Sequence, residues 1–162
     1  MYEWILLIHI LSAFIFAFIH GASTKVIFRL GTETEPARLS ALLDLSGSQL
    51  VWLYASLLVM LASGMGVTYL GNWWRSIWVW LSLALLVLMV PAMYGMATIP
   101  LNRVRKALGL PYSEKNKPQP AVEPSSPEEI TSSLASLKPW LNALIGYGGL
   151  ALILALMVLK PF

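Results

Sequence analysis

The chain has 162 residues, 57% of them hydrophobic and only 12% charged, with a formal net charge of +3 and a mean hydropathy of +0.70. So little charge cannot cover the surface of a water-soluble domain of this size. The small positive balance gives no basis for nucleic acid as a partner, and the absence of cysteine excludes a disulfide framework, a zinc–thiolate site and an iron–sulfur cluster.

Four apolar stretches follow in chain order, at about 4–22, 50–70, 77–99 and 141–159. At ~1.5 Å rise per residue each reaches roughly 28–34 Å, the thickness of the hydrocarbon core of a bilayer. Lipid supplies no hydrogen-bond partners, so each stretch must pair its backbone internally. The expectation is an all-α polytopic membrane protein, a single domain built as an antiparallel bundle of four transmembrane helices. Glu3 stands where a signal peptide carries Lys or Arg, which predicts that the first helix is retained.

The first connection holds Lys25, Arg29 and Arg38, and the third holds Arg103, Arg105, Lys106, Lys115, Lys117 and Lys138. Only Arg75 and Lys160 lie on the other side. Positive residues stay cytoplasmic, which predicts a bacterial inner-membrane protein with both termini outside. Trp4, Trp73, Trp74 and Trp78 then fall at the outer interface, and Trp52 and Trp140 at the inner one, where indole is favoured.

Thr34-Glu35-Pro36 with Leu39, Leu42 and Leu43 predicts a short amphipathic cytoplasmic helix that ends before Gly47. From about 110 to 126, Pro111, Pro118, Pro120 and Pro124 among polar residues predict a flexible linker. Order resumes at a capping box, Ser126 to Glu129, and Ile130, Leu134 and Leu137 mark a second amphipathic helix leading into the fourth span. Pro91 inside the third span predicts a kink. Ala13, Ala17 and Gly21, with Gly146, Gly148, Gly149, Ala151 and Ala155, are spaced for close helix packing, within one bundle or between copies in a homo-oligomer or larger complex.

His9 is the one titratable imidazole well inside a span. Such a residue is either a ligand or a hydrogen-bonded packing group. His20, eleven residues on, shares its helix face about 16 Å away; at the inner boundary it needs no special role. Depth matching from Trp4 places Met65 and Ser82 level with His9. A His9–Met65 pair suits the axial positions of haem b or a Cu(I) site, to which Met93, from the Met89–Met93–Met96 stripe, is a further candidate ligand. The same methionines serve equally as filler between helices. The spans hold no carboxylate for ion-coupled transport, and no nucleophile–base arrangement is readable, so the reading leans away from an enzyme.

The order of features resembles a known pattern. Leu7-Ile8-His9-Ile10-Leu11 opens the first helix. Gly21, Lys25 and Arg29-Leu30 form its basic exit, and the segment from Glu35 to Leu43 follows. Gly64-Met65-Gly66 closes the second helix and Pro100-Leu101-Asn102-Arg103 the third. Over roughly 4–108 this is similar to an uncharacterised family of predicted four-helix integral membrane proteins of bacteria. Its opening resembles that of the copper-resistance D-type proteins and the HemJ-type protoporphyrinogen oxidases. The resemblance implies haem association at His9. The chain has Phe14-Ile15-Phe16-Ala17-Phe18 where those oxidases have a Trp-Met-Ala-Gly segment, so it does not imply the oxidase activity. Three function classes are therefore open: an accessory or structural membrane subunit, a haem b or copper protein using His9, and small-solute transport.

Overall fold

The computed structural model describes residues 1–161. It is mostly helical, in the order α1 (Tyr2–Leu30), α2 (Pro36–Leu70), α3 (Ile77–Met93), a π-helical turn (Tyr94–Thr98), α4 (Ile99–Ala107), strands β1 (Tyr112–Glu114) and β2 (Lys117–Gln119), α5 (Pro127–Ala135) and α6 (Pro139–Leu159). Four helical runs, Tyr2–Leu30, Pro36–Leu70, Ile77–Ala107 and Pro127–Leu159, are long and apolar enough to cross a membrane, which suggests a multi-pass membrane protein.

The four runs alternate in direction, and aromatic contacts fix the two ends. At one end Tyr2 of α1 meets Trp73 edge-on at 6.0 Å, Trp73 meets Trp78 at 5.4 Å, and the Lys160 ammonium lies 4.0 Å over the Trp73 ring. The start of α1, the 71–76 turn and the end of α6 therefore share this tryptophan end. At the other end, Val26, Ile27 and Leu30 of α1 bury Leu39 and Leu43 of α2, Val104 of α4 and Leu137. This is the hairpin end.

α1 packs along α2 over most of its length, and α6 lies between α1 and α3. The short α2–α3 turn joins two helices that barely touch.

Two expectations change. The amphipathic segment after Pro36 does not stop before Gly47 but runs without a break into the second span as one 35-residue helix. A glycine inside a helix costs only about 1 kcal/mol, and continuing the helix keeps Leu39, Leu43 and Ser46 on the face buried against the rest of the molecule. Within the expected flexible linker, β1 and β2 form a hairpin whose turn residues, Lys115 and Asn116, both have positive φ. Two α4 side chains pin it: Asn102 Oδ1 accepts from the Ser113 N–H at 2.7 Å, and Arg105 Nε donates to the Pro111 carbonyl at 2.6 Å.

Pro91 stands inside α3, which runs to Met93, and a wide turn follows at 94–98. Pro100 explains the position. Its ring crowds the Met96 carbonyl one turn earlier, and it has no N–H to bond that carbonyl. Gly109, at φ 73°, then ends α4, and a Cβ there would sit 2.8 Å from the Val122 carbonyl. The Ser126 cap forms, with Oγ accepting from the Glu129 N–H at 3.3 Å.

Candidate functional site

Five hydroxyls inside the long helices bond locally, whereas Ser23 donates across to Gln49 of α2 and Tyr147 to the Gly21 carbonyl of α1. Ser12, Thr24, Ser56, Ser63 and Ser82 each donate to a carbonyl three or four residues back in their own helix. That lets a polar side chain sit in apolar surroundings without an orphaned O–H.

His9 reaches across to α2. Its Nδ1 lies 2.9 Å from the Met60 carbonyl, which makes Nδ1 the protonated nitrogen, and 3.4 Å from Ser63 Oγ. Gly64 leaves the space: a Cβ there would lie 3.0 Å from the imidazole Cε1. The contact falls on the turn 60–64, so the adjacent Met65 points elsewhere and is 59% exposed. Ser82, expected at the same depth, is buried and bonded within α3. Met93 ends α3, whose main helix neighbour is α6 rather than α1. No group of three or more His, Cys, Asp or Glu side chains suited to a metal occurs among the described residues.

His20 is more deeply buried than its boundary position implied, at 7% exposure. Its Nε2 has no hydrogen-bond partner and points at the backbone of Gly146 on α6. Tyr147 meets the ring edge-on at 5.7 Å. One turn before Gly146, Asn142 is 1% exposed; its Nδ2 donates to the Met96 carbonyl at 3.3 Å, and its Oδ1 has no partner. Asn142 thus supplies the donor that Pro100 cannot. One turn after Gly146, Met89 of α3 packs its sulfur onto Gly149. Three glycine or amide positions of α6 therefore receive a side chain from α1, a side chain from α3 and the carbonyl freed in the π turn. Gly148, by contrast, faces open space.

The third feature is a cleft of about 490 Å³ at the hairpin end, between α2 and the π turn with α4. Leu50, Tyr54 and Tyr94 line its apolar part; Asp44, Asn102 and Arg105 line its polar part, roofed by β1. Arg105 Nη2 pairs with Asp44 Oδ1 at 2.9 Å. The two residues are 61 apart in the chain, a separation at which no local pattern signals a pair.

No family model, curated protein or solved structure matches the chain.

Proposed function

We propose that the chain is a multi-pass protein of a bacterial inner membrane, with both termini outside and the hairpin end in the cytoplasm, acting as an accessory or structural subunit of a larger assembly. One observation carries this reading. Ser12, Thr24, Ser56, Ser63 and Ser82 bond their own helices and His9 bonds Met60, while broad apolar faces, including Phe14 at 70% and Phe18 at 83% exposure, stay uncovered. In a membrane such faces meet lipid or partner helices, and partner contact needs no catalytic group. Purification of the full chain in a mild detergent tests it: a partner or a second copy co-purifies. A clean monomer after gentle extraction and crosslinking overturns it.

A second reading has its own support. A ligating imidazole commonly donates its other N–H to a backbone carbonyl, and the Met60 carbonyl receives His9 Nδ1 in that way, leaving Nε2 with no bond. With the resemblance to HemJ-type proteins this favours haem b at His9. The copper alternative has less behind it: Met65 is 59% exposed, and Met93 ends α3, whose main helix neighbour is α6. A Soret band abolished by His9→Ala supports haem; a colourless wild type from haem-supplemented cells dismisses it.

A further inference from the structure

We propose that the hairpin-end cleft holds one zwitterionic aminophospholipid, its phosphate on Arg105 and its ammonium on Asp44. The proposal rests on the membrane reading of the four helices.

The cleft changes chemistry along its depth. Leu50, Tyr54 and Tyr94 belong to the apolar runs, whereas Asp44, Asn102 and Arg105 belong to the polar end. About 490 Å³ lies within the ordinary range of small-molecule sites, and a ligand filling both parts must join an apolar body to a polar head. The cleft also lies between α2 and the α3–α4 run, consecutive elements that touch only sparsely. An acyl chain can leave sideways into the bilayer there without crossing a packed helix pair.

Charge selects the head. The lining contains one cation and one anion, and each keeps a polar atom free. Arg105 uses Nε on the Pro111 carbonyl and Nη2 on Asp44 Oδ1, leaving Nη1. Nη1 faces Gly47, where a Cβ would sit 3.9 Å away, so the absent side chain leaves room in front of it. Asp44 uses only Oδ1 and keeps Oδ2 at the mouth, its side chain 63% exposed. A phosphate beside an ammonium complements this pair sign for sign. A purely anionic head leaves Asp44 facing like charge.

The test uses the delipidated full chain in detergent with an equimolar mixture of dioleoyl phosphatidylethanolamine and dioleoyl phosphatidylglycerol, read by native mass spectrometry. Ethanolamine lipid adducts are expected to exceed glycerol lipid adducts by about fivefold, the factor a good exposed ion pair carries. Asp44→Asn removes that preference, and Arg105→Gln loses both adducts. Because Arg105 also pins the hairpin, Gly47→Leu serves as a second variant: it fills the space before Nη1 without touching the ion pair, and it loses the adduct while the melting temperature holds. Equal uptake of the two lipids by the wild type overturns the proposal, as does a preference that survives both Asp44→Asn and Gly47→Leu. Displacement of the lipid by an equal concentration of water-soluble phosphoethanolamine reassigns the cleft to the free headgroup and also overturns it. Carbonate extraction of the protein from membranes is a separate readout: release into the supernatant sinks the membrane reading whatever the adducts show.

Discussion

The hairpin end and the middle of the long helices are held together by different physics. At the hairpin end Leu30, Leu39, Leu43 and Val104 are almost completely buried in one apolar cluster, with the Asp44–Arg105 pair beside it. That is the construction of a water-facing core, where removal of apolar surface from water is the driving force. In the middle, the close contacts are His9 on Gly64, His20 on Gly146 and Met89 on Gly149, while large apolar side chains point outward. There the helices adhere through close backbone approach and a few hydrogen bonds, as expected where the surroundings are as oily as the side chains.

Substitutions that act on one region and spare the other test this contrast. Leu30→Ala is expected to have the largest effect, about 2–5 kcal/mol of destabilisation, because it opens a cavity in the water-facing cluster. Leu58→Ala, on an outward face at 67% exposure, should stay within about 0.5 kcal/mol. Thermal unfolding of the detergent-solubilised chain measures both. Equal costs would erase the distinction between the two regions.

Gly146→Ala comes next. Its Cβ would collide with His20 Nε2, and the ring, held between Phe16 and Tyr147, cannot yield cheaply, so about 1–3 kcal/mol is expected. Gly148→Ala, with nothing within 4 Å, is the matched control and should be neutral or slightly stabilising. His20→Ala should rescue the Gly146 variant, since the two changes share one contact. Asn142→Ala follows at about 1–3 kcal/mol, through the loss of the donor to the Met96 carbonyl. In a Pro100→Ala background that cost should shrink, because residue 100 then offers its own N–H.

Orientation is tested without any stability measurement, since the chain has no cysteine of its own. A single cysteine at Asn72, in the 71–76 turn, should react with a membrane-impermeant maleimide on intact spheroplasts. One at Asn116, in the β-hairpin turn, should react only after lysis. The reverse pattern overturns the proposed topology.

The helical runs were legible because hydropathy over about 20 residues is a strong, local signal. What the chain did not announce depends on pairs far apart in it. Gly47 punctuates a helix when read alone, yet α2 passes through it because Leu39 and Leu43 have a partner surface on α1. The prolines of 110–126 read as a linker, yet Asn102 and Arg105 hold a hairpin there. His9 was legible as an unusual residue, but its partner was not: depth matching pointed to Met65, and helix rotation gave the place to the turn 60–64. Asn142 carried a faint signal, a lone amide in an apolar stretch, with nothing nearby to say that it meets the carbonyl Pro100 leaves unpaired.

The smallest expected effect lies in the loop between α1 and α2. Glu33 Oε1 accepts from the Glu35 N–H at 3.3 Å and the Thr34 N–H at 3.1 Å. These bonds hold its carboxyl below the ordinary value of 4.5, against a smaller opposing effect of burial, with Arg38 and Arg29 adding to the lowering. A carboxyl whose value falls on folding binds protons more readily in the unfolded chain. Its contribution is therefore complete above about pH 4.5 and fades as pH drops through the lowered folded value. Glu33→Gln should flatten the acid limb of the melting profile slightly, lowering the melting temperature a little at neutral pH and converging with the wild type in acid. A steeper acid limb in the variant would show that Glu33 instead weakens the hairpin end, whereas an unchanged limb would show that the loop lies outside the cooperative core which Leu30 anchors.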